Sequence, residues 1–184
     1  MELFTDIYYI TKIQTGETEH FAHLLERYSQ PVFSLINKIV GSREDAEELT
    51  QDVFMKVFRS LDSFQRNSTF STWLYRIAYN TAISAMRKRK HEWITLEESL
   101  VGDLDEDEDG YGIGNINEEQ IHYLEVALQQ LPLEERTLIL LFYMQEKSIE
   151  EIVIITDLSV SNVKTKLHRT RKRLYKIMNN LKQP

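Results

Sequence analysis

Ser148-Ile149-Glu150-Glu151-Ile152-Val153-Ile154-Ile155-Thr156-Asp157-Leu158-Ser159-Val160-Ser161-Asn162-Val163-Lys164-Thr165-Lys166-Leu167-His168-Arg169 decides the fold. Ser148 with Glu151 three positions on is a capping box, in which hydroxyl and carboxylate satisfy each other's backbone amides, and it opens a short helix over Ile149 to Ile155. Thr156, Asp157 and Leu158 form a brief turn. Ser159 then caps a last helix carrying Val163, Leu167, Leu174 and Ile177 on one apolar stripe. Two capped helices across so short a turn make the helix-turn-helix pattern.

The last helix is also chemically lopsided. From Val160 to Pro184 there are eight basic residues, Lys164, Lys166, Arg169, Arg171, Lys172, Arg173, Lys176 and Lys182, and no acidic one. With the apolar positions turned inward, Ser161, Asn162, Lys164, Thr165, His168 and Arg169 are left pointing out. Such a face suits a DNA major groove, where Arg or Lys reads guanine, Asn reads adenine and hydroxyls hold phosphates. The plainer reading is a solvated C-terminal helix whose cations complement its dipole.

Upstream, Leu124, Leu128 and Leu131 lead to Pro132, whose fixed φ suits the first turn of a helix bearing Leu138, Leu141 and Phe142. Before that lies an acidic segment, 92–119, with Asp103, Asp105, Glu106, Asp107, Glu108 and Asp109 followed by Gly110, Gly112 and Gly114. Self-repelling charge and clustered glycines make it a flexible linker between domains. Asp105, Asp107, Asp109 and Gly110 also look like the opening of an EF-hand loop. The bidentate Glu expected at its twelfth position is Ile116, and its apolar eighth position is Gly112, so no metal site is expected there.

In the first half three apolar series recur at helical spacing: Phe21, Leu24, Leu25, Tyr28, Val32, Ile36; Ala46, Leu49, Val53, Val57, Leu61; and Trp73, Leu74, Ile77, Ala78, Thr81. Gly41 closes the first helix, and Ser42 with Asp45 opens the second. No run alternates like a strand, so the chain is expected to be all-α: two small helical domains, 1–91 and 120–184, joined by the linker 92–119.

Composition sets the remaining bounds. The 184 residues hold no Cys, which excludes disulfides, thiolate metal sites and cysteine nucleophiles. No stretch reaches the roughly 18 apolar residues of a membrane span, and Met1 to Asp6 lacks the look of a signal peptide, so a cytoplasmic protein is expected. The net charge of −7 argues at first against a nucleic-acid partner. By segment, however, 1–91 carries +1, 92–119 carries −11 and 120–184 carries +3, so the acid is confined to the linker.

A second basic run, Arg87-Lys88-Arg89-Lys90, ends the third helix of the first half. The stretch before it, Phe64-Gln65-Arg66-Asn67-Ser68-Thr69-Phe70-Ser71-Thr72-Trp73-Leu74-Tyr75-Arg76, interleaves rings with short polar groups. Rings can stack on an unpaired base and polar groups can read its edge, which suits melted single-stranded DNA. Alternatively Phe70 and Trp73 are core, the better reading for Trp73 on its apolar stripe.

These motifs resemble a known family. Asp45-Ala46-Glu47-Glu48-Leu49-Thr50-Gln51-Asp52-Val53-Phe54, Leu61-Asp62-Ser63-Phe64 and Phe70 to Asn80 resemble region 2 of the extracytoplasmic-function sigma factors of bacterial RNA polymerase, in the sigma-70 superfamily. Leu131-Pro132, Glu151-Ile152 and Val160 to Arg171 resemble region 4. The resemblance implies a non-enzymatic initiation factor with no cofactor. It places Glu48, Gln51, Asp52 and Met55 against the clamp helices of the largest polymerase subunit. Ser63, Phe64, Ser68, Phe70 and Asn80 would line a pocket for a base flipped from the −10 element, with Arg76, Arg87 and Lys88 on DNA nearby. Thr165, His168 and Arg169 would lie nearest base edges at −35, Ser161 and Asn162 beside them, and Lys164, Lys166 and Arg171 on phosphates. It implies an anti-sigma partner as well. Two departures stand out: Asp157 replaces a common turn Gly, and Val153 a smaller residue where helices pack closely.

Two other classes are weighed. A self-sufficient helix-turn-helix regulator would not need the Asp45 to Phe54 segment. An enzyme would need a phosphate loop, metal-ligand spacing or nucleophile motif, and none is found. The pair His20 and His23, at i and i+3, reads as a polar helix face, since no further ligand lies near it in sequence.

Overall fold

The computed structural model describes residues 5–93 and 118–182, so positions 94–117 of the expected linker, the Asp105 loop included, lie outside the described residues, while its ends at 92–93 and 118–119 belong to helices. Among the described residues eight α-helices follow in order: α1 (Asp6–Gln14), α2 (Phe21–Val40), α3 (Arg43–Ser60), α4 (Phe70–Trp93), α5 (Glu118–Gln130), α6 (Leu133–Ile139), α7 (Ile149–Thr156) and α8 (Val160–Lys182). Among the described residues there is no strand.

Local chemistry sets most helix ends. Gly41 closes α2 at φ +74°, its N–H donating to the Asn37 carbonyl at 2.9 Å. Ser42 Oγ accepts the Asp45 N–H at 3.4 Å to start α3. Thr69 Oγ1 accepts the Thr72 N–H at 3.2 Å at the head of α4, a cap the sequence reading did not assign. Both halves of the Ser148–Glu151 box are made, at 3.1 and 2.9 Å. Asp157 adopts φ +59°, and Ser159 Oγ accepts the Asn162 N–H at 3.2 Å. Ser148→Ala is expected to cost about 1 kcal/mol, with Ser148→Asp largely sparing it; urea unfolding of both variants measures the difference.

The core runs through both halves. Leu24, Val32, Leu35, Ile36 and Ile39 on α2 are buried, as are Ala46, Val53, Phe54 and Val57 on α3 and Leu74, Ala78 and Ala82 on α4. Pro31 lies inside α2, where a missing N–H and a ring clash cost about 3 kcal/mol. Five buried aliphatic side chains, each contributing roughly 1.5–3 kcal/mol, outweigh it, so the helix continues through the proline.

Three features depart from the sequence reading. Helix α1, unassigned there, packs Tyr9, Ile10 and Ile13 inward and anchors Asp6 to Arg27 and to the Tyr28 hydroxyl, the latter at 2.5 Å. Pro132, at φ −52°, immediately precedes α6 instead of lying in its first turn. After α6 the chain widens into a π turn over Leu140–Met144 before the loop to Ser148.

The two halves also pack directly against each other, α7 lying on α4. Ile152 and Ile155 of α7 join the same core as Leu74 and Ala78. Val153 is half-buried at the margin of that core. Arg136 on α6 is buried, donating to the Ile39 carbonyl of α2 at 2.7 Å and to Gln129 at 2.5 Å.

Candidate nucleic-acid interface

Helix α8 turns Val163, Leu167 and Thr170 inward, at i, i+4 and i+7. That leaves Ser161, Asn162, Lys164, Thr165, His168, Arg169 and Arg171 exposed. The outward face is continuous and cationic. Two of the basic residues counted in the sequence also meet carboxylates within the chain. Arg173 holds both oxygens of Glu135 at 2.8 Å, an intramolecular clamp, and Lys166 is half-buried, 3.6 Å from Glu134.

The loop before α4 arranges its rings inward and its polar groups outward. Phe64 and Phe70 are buried at 5% and 2% exposure, so in this arrangement neither ring face is open to a base. Trp73, assigned to the core in the sequence, is only half-buried. The three rings form one cluster, with centroids 5.1 to 6.0 Å apart, and Tyr28 stands at 5.5 Å from Phe70. Phe70 therefore supports the loop from beneath. Gln65, Arg66, Asn67 and Asn80 are exposed and Ser68 half-buried. Ser63, also exposed, donates its hydroxyl to the Ser60 carbonyl at 2.6 Å. Arg66 takes a left-handed backbone, φ +61°, and reaches Thr11 of α1 at 2.9 Å, a tie that sequence spacing does not reveal.

Along α3, Glu48, Gln51, Asp52 and Met55 are exposed on one ridge, at i, i+3, i+4 and i+7. Phe58, 42% exposed, extends it and sits edge-on to Phe21 at 5.0 Å. With Met55 at 52% it makes a small apolar patch that the sequence reading had only in part.

Several candidate DNA contacts on α4 are occupied by the second half of the chain. Arg76 pairs with Asp157 at 2.8 Å and Arg87 with Glu134 at 3.2 Å. Lys88 is exposed, while Arg89 pairs with Asp45. The Arg89 guanidinium, helped by the Ser42 hydroxyl, holds the Asp45 carboxyl below its ordinary value. Thr72 donates to Glu151 at 2.8 Å, Lys147 meets Ser71 and Glu151, and the Tyr75 hydroxyl meets Gln145. Burial pushes Tyr75 up to about 12, so it stays protonated. Burial alone would raise Glu151, but the Ser148 amide, Thr72 and Lys147 together hold it below the usual carboxylate value.

His20 and His23 stack with centroids 5.9 Å apart, and His23 lies on Tyr9 at 4.5 Å. Glu17, Glu19 and His20 bring three possible ligand atoms within 4.8 Å of one another. Glu17 already pairs with Lys12 at 2.9 Å and His20 at 3.4 Å, so the group works as an ion-pair cluster. An apolar groove of about 500 Å³ lies between α5 and α8, lined among others by Leu124, Leu128, Tyr143, Leu174 and Met178. No helix of the described residues is long and apolar enough to cross a membrane.

Comparison with known proteins agrees with this layout. The family model described as Sigma-70 region 2 matches residues 24–92, and that described as Sigma-70, region 4 matches residues 121–174. The chain is 31% identical over 183 residues to the ECF RNA polymerase sigma factor SigW of Bacillus subtilis, covering 94% of this chain and 96% of that one. It is 32% identical over 178 residues to the ECF RNA polymerase sigma-E factor of Escherichia coli K12, covering 92% of each. Among solved structures, CnrH in complex with the cytosolic domain of CnrY has a TM-score of 0.71 at 19% identity, over 95% of this chain and 97% of that one. The sigma factor RpoE in complex with the anti-sigma factor NepR, from Bartonella quintana, has a TM-score of 0.67 at 24% identity, over 86% and 96%. With both family models matched in order and near-full-length identity above 30%, the chain belongs to the extracytoplasmic-function sigma factors of the sigma-70 family, non-enzymatic factors for promoter-specific transcription initiation.

Proposed function

We propose that the chain divides promoter recognition among three surfaces. The α3 ridge of Glu48, Gln51, Asp52 and Met55 docks on the clamp helices of core RNA polymerase. The loop and α4 of the first domain, 1–91, engage the melted −10 element through Ser63, Ser68, Asn80, Arg76, Arg87 and Lys88, over a base formed by Phe64 and Phe70. In the last domain, 120–184, α8 enters the −35 major groove, with Thr165, His168 and Arg169 at base edges beside Ser161 and Asn162, and Lys164, Lys166 and Arg171 on phosphates. The observation that carries this reading is the outward face of α8, exposed, free of acidic residues and cationic, behind a capped turn.

The linker 92–119 spaces the two domains on the polymerase. A free chain with domains of +1 and +3 beside 11 negative charges attracts DNA weakly, whereas one scaffold that holds both domains raises the effective concentration of each for its element. The site of action is the cytoplasm. An anti-sigma protein is the expected regulator, supported by the solved complexes of the structural neighbours, and the groove between α5 and α8 offers apolar surface to such a partner.

Run-off transcription with purified core polymerase on a pool of genomic promoters, with and without this chain, tests the whole. New starts that share spaced −35 and −10 elements are expected; none appearing would refute it. Within α8, Lys164→Ala is expected to weaken all promoters alike and to lower the salt slope by about 1. Arg169→Ala is expected to relax preference at one −35 position by about 1–3 kcal/mol. Equal losses on every promoter variant for both substitutions would count against that division.

A further inference from the structure

We infer that helix α1 is a positioning element for −10 recognition, with Thr11 and Gln14 fixing the loop that presents Ser63 and Ser68 to the unpaired strand. This rests on the proposed −10 role of that loop. Thr11 and Gln14 stand three positions apart, on one face of α1. Gln14 Nε2 donates to the Leu61 carbonyl at 3.0 Å, which also accepts the Phe64 N–H at 3.1 Å, so α1 holds the turn by which the chain leaves α3. Further along, Arg66 donates to Thr11 Oγ1 at 2.9 Å, and the Thr11 hydroxyl donates in turn to the Ile7 carbonyl at 2.8 Å. That second bond fixes the hydroxyl hydrogen and leaves a lone pair for the guanidinium. The third point of contact is the floor of the loop. Asp6 accepts the Tyr28 hydroxyl at 2.5 Å, and the Tyr28 ring stands edge-on to Phe70 at 5.5 Å.

Positions 64–69 form no helix or strand of their own, so their placement comes from what they touch. Arg66 sits at φ +61°, a conformation that a residue with a side chain keeps only where its surroundings impose it. The bond to Thr11, across 55 positions of chain, is such a constraint. One exposed hydrogen bond adds little to folding stability; what these ties supply is placement. Reading a base edge requires the loop's polar groups to be held within about 0.5 Å of their working positions. The proposed phosphate contacts and polymerase docking lie on other helices and do not depend on α1. Loss of the ties therefore costs discrimination at the base the loop reads more than it costs binding.

Thr11→Val with Gln14→Leu removes both ties and keeps side-chain size close to the original. Thr11 is exposed, so Thr11→Val alone is expected to unfold at nearly the same urea concentration as the starting chain, and it carries the test if the double variant is destabilised. The full chain with core polymerase is given a promoter pool randomised through both elements. The double variant is expected to lose about fivefold of its preference at one −10 position and to change preference at −35 by less than about twofold, with Thr11→Val shifting the same position in the same direction. Amide hydrogen exchange over 64–69 is expected to quicken by about fivefold. Thr11→Ser keeps the hydroxyl and is expected to retain both the preference and the slow exchange. The control Thr15→Val, whose native hydroxyl donates to the Lys12 carbonyl of its own helix at 2.8 Å, is expected to change neither.

Unchanged preference at every −10 position overturns the proposal, as does an equal loss at −35, a uniform drop on all promoters, unchanged exchange over 64–69, or an effect of the same size in Thr15→Val. Failure of the underlying −10 reading is separately visible. Ser68→Ala with Asn80→Ala would then leave −10 preference untouched as well, whereas failure of α1 alone leaves those two substitutions altering preference and the α1 variants not.

Discussion

Asp52→Arg is expected to abolish transcription directed by this chain, lowering its affinity for core polymerase by more than about 100-fold. Asp52 is exposed in the middle of the α3 ridge and makes no ion pair among the described residues. A substitution at such a position changes folding stability by about 0.5 kcal/mol or less, so the variant should unfold at nearly the same urea concentration. The ridge is anionic at Glu48 and Asp52, with Met55 and Phe58 adding apolar surface beside them. Such a surface fits a basic partner with an apolar strip. Reversing the central charge sets like charges against each other at the contact, a cost of several kcal/mol. Co-purification with core enzyme is the direct measurement. If the folded variant still co-purifies normally, α3 is not the docking surface.

Phe70→Ala is expected to destabilise the chain by about 3–5 kcal/mol. The ring is 2% exposed and packs among Tyr28, Phe64 and Trp73, so truncation leaves a cavity that a helix start cannot collapse to fill. Against a total stability of about 5–15 kcal/mol this removes a large share. Phe70→Leu retains most of the volume and should cost far less. The pair separates support from direct reading. If Phe70 only holds the loop, the Leu variant opens promoters normally; if the ring itself meets the flipped base, that variant folds but fails to form open complex, read by permanganate footprinting of the −10 strand. An Ala variant that unfolds like the starting chain would refute the core role.

What was legible beforehand follows the range of the interactions. The caps at Ser42, Ser148 and Ser159, the αL closure at Gly41, the turn at Asp157 and the inward placement of Val163 and Leu167 on α8 are set within three or four residues, and each matches its reading. The misreadings arise where neighbours distant in sequence decide. The aromatic stretch left open whether Phe70 is core or base-facing, and Tyr28 and Phe64 decide that it is buried, with Trp73 half-buried against the same core as read. Helix α1 is only nine residues long, too short to be stable alone, and exists because Ile10 and Ile13 pack and Asp6 finds Arg27 and Tyr28.

The basic runs show the same limit. Composition marks Arg87 to Lys90 and the eight cations of α8 as a DNA-facing supply, but Arg173 is held by Glu135, Arg89 by Asp45, and Arg87 with Lys166 by Glu134. Arg136 carried no signal at all, since a single Arg in an amphipathic helix looks solvent-facing until Ile39 of another helix offers its carbonyl.

By itself, then, the order of residues determined most of the helices, the helix-turn-helix and the outward face of α8, because backbone capping and 3.6-residue periodicity act over a turn or two. Only the tertiary structure decided that the halves close on one another and which charges are already spent inside the molecule. A carboxylate finds its cation across some fifty or eighty positions of chain, as Glu134 does Arg87 and Asp157 does Arg76, through packing that no local pattern encodes.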